Sequence, residues 1–193
     1  NSEQRFLDYK SIASRGGFEK IIEKGTLVLD IGGGSSEIVC FERRSIISAC
    51  SMPIGSLNLF TAHVREILPM PSEIEAMRMH IHRELEAYVH AQEELLFAAG
   101  GTARAIEKLL LKRNLLERKG QAIERAQLEE LLSTLCSPKG AHLLLQSKPE
   151  RIHTLIPGFL ILLSVMDHCH CQRLKVGRYG IREGYLMKVT KGI

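Results

Sequence analysis

Three consecutive glycines stand between two apolar runs near the start of this chain, in the segment Leu29-Asp30-Ile31-Gly32-Gly33-Gly34-Ser35-Ser36-Glu37. Glycine lacks the Cβ that bars other residues from much of backbone space, so such a triplet ends a strand and permits a tight reversal. Thr26–Ile31 and Glu37–Phe41 therefore read as a strand and its return. Ser45–Cys50, beyond the charged turn Glu42–Arg44, reads as a third. Three short apolar runs separated by turn signals make an antiparallel meander. Any fold for this chain has to begin from it.

The remainder of the chain is mostly helical. Ahead of the meander, Glu3 to Ile12 reads as a helix. Gly55–Arg65 is a short helix, and Ser72 opens a long one reaching about Val89, with Glu75 at the capping-box position. Leu95–Ala99 is a strand that runs into Gly100-Gly101, after which Thr102–Leu111 restarts as a helix. Arg125–Leu135 is amphipathic, Pro149–Thr154 a helical turn, and Pro157 the start of a helix to about Cys169. Arg173–Val176 is a last strand and Ile181–Val189 a terminal helix. A meander followed by alternating helices and strands is an α/β layer pattern, a mixed sheet with flanking helices. The 193 residues, without repeats or a low-complexity linker, suit a single domain.

Composition removes several function classes. With 45% hydrophobic and 25% charged residues, the chain has the make-up of an ordinary globular protein. The longest apolar run, around Leu160 to Met166, falls far short of the roughly 20 residues of a membrane span. Five cysteines without a paired spacing point to free thiols in a reducing, cytoplasmic compartment. The net charge of +4 suits an anionic substrate but is no nucleic-acid signature, and without tryptophan a base-stacking platform is not expected. The chain opens at Asn1 without a leader, as an excised piece would.

The glycine segment also carries chemistry. Gly32, Gly33 and Gly34 can bring backbone N–H groups close to an anion, and Ser35 and Ser36 can add hydroxyl donors. Asp30, at the strand end, is placed to bind Mg²⁺ directly or through water. Glu37 could orient or deprotonate an attacking water. The bland alternative is a plain hairpin turn, which Asp before and Ser-Ser-Glu after the glycines disfavour. Gly100, Gly101 and Thr102 form a second candidate phosphate site at an exposed helix N-terminus, with Thr102 as N-cap or phosphate donor; an ordinary strand-to-helix turn fits equally well. In Gly177-Arg178-Tyr179-Gly180-Ile181-Arg182-Glu183-Gly184, helix capping with a structural ion pair is preferred to substrate contact.

Asp-Ile-Gly-Gly-Gly-Ser-Ser-Glu resembles the second phosphate loop of the Ppx/GppA phosphatases, usually written DIGGGSTE. Asn1–Phe6, Ser51-Met52-Pro53-Ile54-Gly55, Gly100-Gly101-Thr102, Glu150-Arg151 with Pro157-Gly158, and Tyr179–Gly184 are similar to further stretches of that family in the same order. The resemblance implies an actin-like ATPase fold of two ribonuclease-H-like lobes, of which this chain is the second. The active site lies in the cleft between the lobes, where polyphosphate or guanosine pentaphosphate is hydrolysed with Mg²⁺. Asp30 corresponds to the metal-associated aspartate, Gly32–Ser36 to the phosphate loop and Glu37 to the second acidic residue. The family's other phosphate loop and principal catalytic glutamate belong to an N-terminal lobe that is not in this sequence, and pairing of the full-length protein into a homodimer is expected. Ser36 in place of threonine keeps the hydroxyl. His153 for aspartate, Gly177 for serine and Asn58 for arginine bear on substrate preference. A rival from another class is a non-catalytic nucleotide- or phosphate-binding module that works by opening and closing the cleft.

Other clusters have plainer readings. His168-Cys169-His170-Cys171 holds zinc-type ligands, but helical neighbours one or two apart diverge, so a fraying helix end with buried thiols is expected. His80 and His82 read as a solvated face. Lys112-Arg113 and Arg118-Lys119 read as a helix end, with attraction of a long polyanion as the alternative.

Overall fold

Six strands build one mixed sheet: β1 (Thr26–Ile31), β2 (Ser36–Glu42), β3 (Ser45–Met52), β4 (Leu95–Ala99), β5 (Ile123–Glu124) and β6 (Arg173–Val176). Their order across the sheet is β3-β2-β1-β4-β6-β5. The computed structural model describes residues 26–42, 45–88 and 94–177. The helices expected at Glu3–Ile12 and Ile181–Val189, and most of the closing Gly177–Gly184 motif, lie outside the described residues.

The meander is as expected, with β1 antiparallel to β2 and β2 antiparallel to β3. β1 then pairs in parallel with β4, and β4 with β6, while the two-residue β5 closes the far edge against β6. Every residue of β1 is buried except Asp30, which is half-buried. A strand covered on both faces needs a near-continuous apolar sequence, as Thr-Leu-Val-Leu-Asp-Ile supplies; the one carboxylate is the exception that needs a reason.

Helices α1 (Ser56–His63), α2 (Pro71–Tyr88), α3 (Gly100–Lys112), α4 (Arg125–Leu135), α5 (Gly140–Ser147) and α6 (Leu155–His168) complete the fold. α6 packs against α1, α2, α3, α4 and β1, and from Leu155 to Leu163 every residue is buried. It starts ahead of the proline, which is tolerated because the first helical turn has no carbonyl for its missing N–H.

Two local expectations are corrected. α2 begins at Pro71, and its reach-back residue is Glu73, not Glu75: Glu73 Oε2 accepts from Met70 N–H at 2.8 Å and Oε1 from Arg65 N–H at 3.2 Å. Proline at the first helical position shifts the whole register of the cap. α5 has no counterpart in the sequence reading, because Pro138-Lys139-Gly140 resembles a break. Gly140 instead allows α5 to abut α4, since a Cβ there would run into the Leu135 carbonyl.

Candidate active site

β1, β4 and β6 are parallel, so their carboxyl ends open on one edge of the sheet, the place where α/β sheets bind ligands. The Gly32–Ser35 loop follows β1, the N-terminus of α3 follows β4, and Gly177 follows β6, its N–H donating to the Ala98 carbonyl at 2.9 Å. Asp30 lies in register with Ala99 on one side and with Glu37 on the other. The topology thus brings the two predicted phosphate segments and both predicted carboxylates to one edge.

The loop is pinned from outside by α1. Gly32 N–H donates to the Ser35 carbonyl at 2.9 Å, closing the turn. The Gly32 carbonyl accepts from Ser56 N–H at 2.9 Å, and the Gly33 carbonyl from Leu57 and Asn58 N–H at 2.9 and 3.0 Å. Asn58 Nδ2 donates to the Gly34 carbonyl at 2.8 Å and to the Pro53 carbonyl at 2.9 Å, while its Oδ1 accepts from Gly55 N–H at 2.6 Å. The first amides of α1 are therefore spent on loop carbonyls. The N–H groups of Gly33, Gly34 and Ser35 have no hydrogen-bond acceptor among the described residues, and Gly33 and Gly34 are exposed. Carbonyls tied back and amides left over are the makings of an anion-binding nest. Close approach of α1 depends on Gly55, where a Cβ would collide with the backbone of Gly33 and Gly34.

Gly100 touches the first carboxylate. Its φ of +86° is closed to most side chains, and a Cβ there would strike Asp30 Oδ1. Glu37 is only 4% exposed, and its Oε1 accepts from Ser35 Oγ at 2.8 Å and from Ser51 Oγ at 3.2 Å. Ser35 is the donor of the first of these bonds, which leaves the lone pairs of its oxygen for another donor. Such an oxygen suits a water or a cation better than a phosphate oxygen; what Ser35 can offer an anion is its backbone N–H. Nearby, burial pushes the Cys50 thiol pKa up, the Ile38 backbone hydrogen bond opposes this, and the Glu37 charge adds to it.

Asp30 and Glu37 face one another on paired strands, where like charges destabilise. A hard divalent cation accepts such an oxygen donor set, completed by substrate oxygens, so these residues fit Mg²⁺.

Other predicted donors turn inward. Ser36 is fully buried, its hydroxyl donating to the Ile54 carbonyl at 2.7 Å. Thr102 is not the N-cap: Ala99 occupies that position, and Thr102, 2% exposed, packs against Gly158 of α6. The Ser36 hydroxyl is spent on tying β2 to the Ile54 carbonyl, and Thr102 is held where α3 meets α6. Gly100 and Gly101 open α3, whose N-terminus carries no side-chain cap, leaving its positive end to an anion. Gly33 lacks a positive φ and a Cβ there meets only Leu57 Cβ at 3.6 Å, so the need for glycine falls on Gly32, where a Cβ would meet the Ser35 carbonyl oxygen at 2.9 Å, and outside the loop on Gly55 and Gly100.

Three residues at the site have no role in the sequence reading of the residues themselves. Asn58 staples the loop to α1; its position at the third residue of a helix was the available signal. Ser51 steadies Glu37 from β3. Arg151 lays its guanidinium over Gly101, where a Cβ would collide with it. His153 stacks on Phe60 of α1, ring centroids 4.7 Å apart. Cys169 and Cys171 are buried at the end of α6, and among the described residues no three His, Cys, Asp or Glu side chains converge on a metal-sized site. None of the described helices is long and apolar enough to cross a membrane.

The model of the Ppx/GppA phosphatase family matches residues 12–191. A Haemophilus influenzae protein assigned as an exopolyphosphatase is 24% identical over 176 residues, covering 88% of this chain and 54% of its own length. Among solved structures, the Aquifex aeolicus member of the Ppx/GppA family superposes with a TM-score of 0.77 at 23% identity, over 96% of this chain and 62% of that one. An exopolyphosphatase from Cytophaga hutchinsonii gives 0.76 at 14% identity, over 98% and 63%. The chain thus spans about half the length of the curated relative. These likenesses establish the fold as that of the Ppx/GppA phosphatases, an α/β fold of the actin-like ATPase type, with the mixed sheet and flanking helices expected.

Proposed function

Because the chain belongs to the Ppx/GppA phosphatase family, we propose that it forms the second, phosphate-binding lobe of a phosphohydrolase that releases orthophosphate from the end of inorganic polyphosphate, guanosine pentaphosphate or both. The observation that carries this reading is the Gly32–Ser35 loop, with its carbonyls held by α1 and the amides of Gly33, Gly34 and Ser35 unspent between two carboxylates. The amides bind non-bridging oxygens of the terminal phosphate, and the N-terminus of α3 with Arg151 receives the next ones.

Water attacks the terminal phosphorus; a new P–O bond forms as the bridging P–O bond breaks, and the rest of the substrate leaves with the bridging oxygen. Ser35, donating to Glu37, turns its lone pairs to that water and orients it. Its proton passes to the principal glutamate of the N-terminal lobe that completes the cleft. Mg²⁺, held by Asp30 beside Glu37, would neutralise charge on the phosphates. Preorganised donors supply most of the stabilisation in such a site, so this chain alone is expected to be inactive. A cytoplasmic location and pairing of the full-length protein into a homodimer belong to the same proposal.

The test is orthophosphate release by the full-length protein from both substrates, with Mg²⁺ and with chelator. Release that needs Mg²⁺ and is lost in Asp30→Ala supports the assignment; no release from either substrate overturns it, in favour of a non-catalytic phosphate-binding module.

A further inference from the structure

Near its start, α6 serves the phosphate elements: Gly158 packs on Thr102 of α3 and on Ser56 of α1. Nearer its other end, with Asp167 about 14 Å from Gly158 along the axis, a solvent-open cavity of about 390 Å³ lies between α2, α4 and α6. α2 and α4 both pack on α6 but hardly meet one another, and the cavity fills the gap. Its walls are apolar on three sides: Pro71 and Ile74 from α2, Leu132 from α4 and Leu163 from α6. At the mouth is Pro69, and the exposed Ile67 and Met70 on either side of it extend the apolar surface.

Four charged side chains share the lining. Three are occupied with one another, since Arg125 pairs with Asp167 and, at 2.8 Å, with Glu129. The fourth, Arg78, is half-buried and forms no hydrogen bond or ion pair with any described residue. Partial burial raises the Cys136 thiol pKa and the Arg78 charge opposes this, which places both side chains in one part of the cavity. Along α4, Cys136 stands about 16 Å from Arg125. The free guanidinium is therefore next to the thiol, and both carboxylates are spent on the other arginine.

A cation taken partly out of water without a partner works against folding. A carboxylate satisfies a guanidinium with two parallel hydrogen bonds, a geometry that lysine could not offer. Apolar walls around one convergent polar group, in a cavity of this size, are the general form of a small-molecule site. The walls ask for an apolar body and Arg78 asks for one anionic end.

We propose that the Arg78 cavity binds a small amphipathic carboxylate, its carboxylate on the guanidinium and its apolar body against Ile74, Leu132 and Leu163. The site shares no residue with the phosphate loop and does not depend on the phosphohydrolase reading.

The experiment titrates the full-length protein with octanoate, acetate, octanol and octylamine by calorimetry, and follows alkylation of the exposed Cys136 by N-ethylmaleimide with peptide mass spectrometry. The parent is compared with Arg78→Gln, with Ser133→Phe, which puts a ring into the cavity, and with Arg83→Gln, which removes an exposed cation of α2. Octanoate should bind the parent and slow alkylation of Cys136, whereas acetate, lacking the apolar body, should do neither. Arg78→Gln should weaken octanoate about tenfold or more. It should leave the weaker binding of octanol and the melting temperature unchanged, because this arginine has no partner to lose. Ser133→Phe should weaken octanoate and octanol alike, and Arg83→Gln should match the parent. Octanoate that fails to bind at millimolar concentration, binds Arg78→Gln as tightly as the parent, or leaves Cys136 alkylation unchanged overturns the site. Octylamine binding as tightly as octanoate, through Glu129 or Asp167, overturns the choice of an anion. Should Arg78→Gln fail to fold, Ser133→Phe and the octanoate–octylamine comparison decide the matter.

Discussion

Gly55→Ala probes the joint between α1 and the phosphate loop. Gly55 has φ −139° and ψ 168°, extended backbone open to any residue, so alanine meets no dihedral penalty there. By restricting the unfolded chain it should even stabilise by about 0.4–1 kcal/mol. The steric term opposes this. A Cβ would overlap the carbonyl of Gly33 and the nitrogen of Gly34, both main-chain atoms that no rotamer change can move aside. Local overpacking costs about 1–3 kcal/mol. The alternative response lifts the loop from α1 and breaks the bonds Ser56 N–H to Gly32, Leu57 and Asn58 N–H to Gly33, and Asn58 Nδ2 to Gly34. At about 0.5–1.5 kcal/mol each, these four exceed the strain, so the chain should keep the loop and bear the strain; with the unfolded-state gain subtracted, the net loss is about 1.3 kcal/mol and at most about 2.6. For a chain of 193 residues that lowers the melting temperature by about 3–5 °C, and by at most about 10 °C. Calorimetry and the amide shifts of residues 32–35 read both parts of the argument. Gly34→Ala is the control, because a Cβ there meets nothing within 4 Å and should shift stability by less than about 0.5 kcal/mol. A Gly55→Ala protein as stable as Gly34→Ala, with loop shifts unchanged, refutes the joint as described.

Gly100→Ala should destabilise by about 1–3 kcal/mol, from its left-handed backbone and the collision with Asp30, and should impair Mg²⁺-dependent turnover of the full-length protein; denaturant unfolding and phosphate release at graded Mg²⁺ check it, and unaltered Mg²⁺ dependence would sink it. Burial, and then the neighbouring His80 at 2.9 Å, hold the His63 imidazole below its ordinary pKa of 6.5. Its contribution to stability is therefore complete above 6.5 and lost as pH falls through the lowered folded value, where the unfolded chain binds more protons. Melting temperature should fall between about pH 7 and pH 5. His63→Asn should flatten that fall, and an identical slope in the variant would rule out this histidine.

How much of this was legible beforehand depends on the range of the forces involved. The meander, the β4 strand and the two glycine segments follow from local backbone freedom and apolar periodicity, which sequence carries directly. For that reason Asp30, Gly32–Gly34 and Glu37 could be singled out before any fold was known. The hydroxyl groups were less legible. Ser35, Ser36 and Thr102 all stand next to glycines or one residue beyond them, yet Ser36 donates to Ile54, eighteen residues away, and Thr102 lies under Gly158. Inside or outside is decided by the strand's facing and by which helix arrives, not by the neighbouring residue.

The sequence by itself determined the β-meander, the glycine turns and the chemical types gathered around them, because each depends on residues within a few positions of one another. Only the tertiary structure decided that α1 spends its first amides on the loop's carbonyls and that Gly100 meets Asp30. It also decided that Arg151, from a turn fifty residues after Gly101, comes to rest over that glycine. Those are meetings between distant segments, made by burying α6 against four helices and β1, and no local preference encodes them.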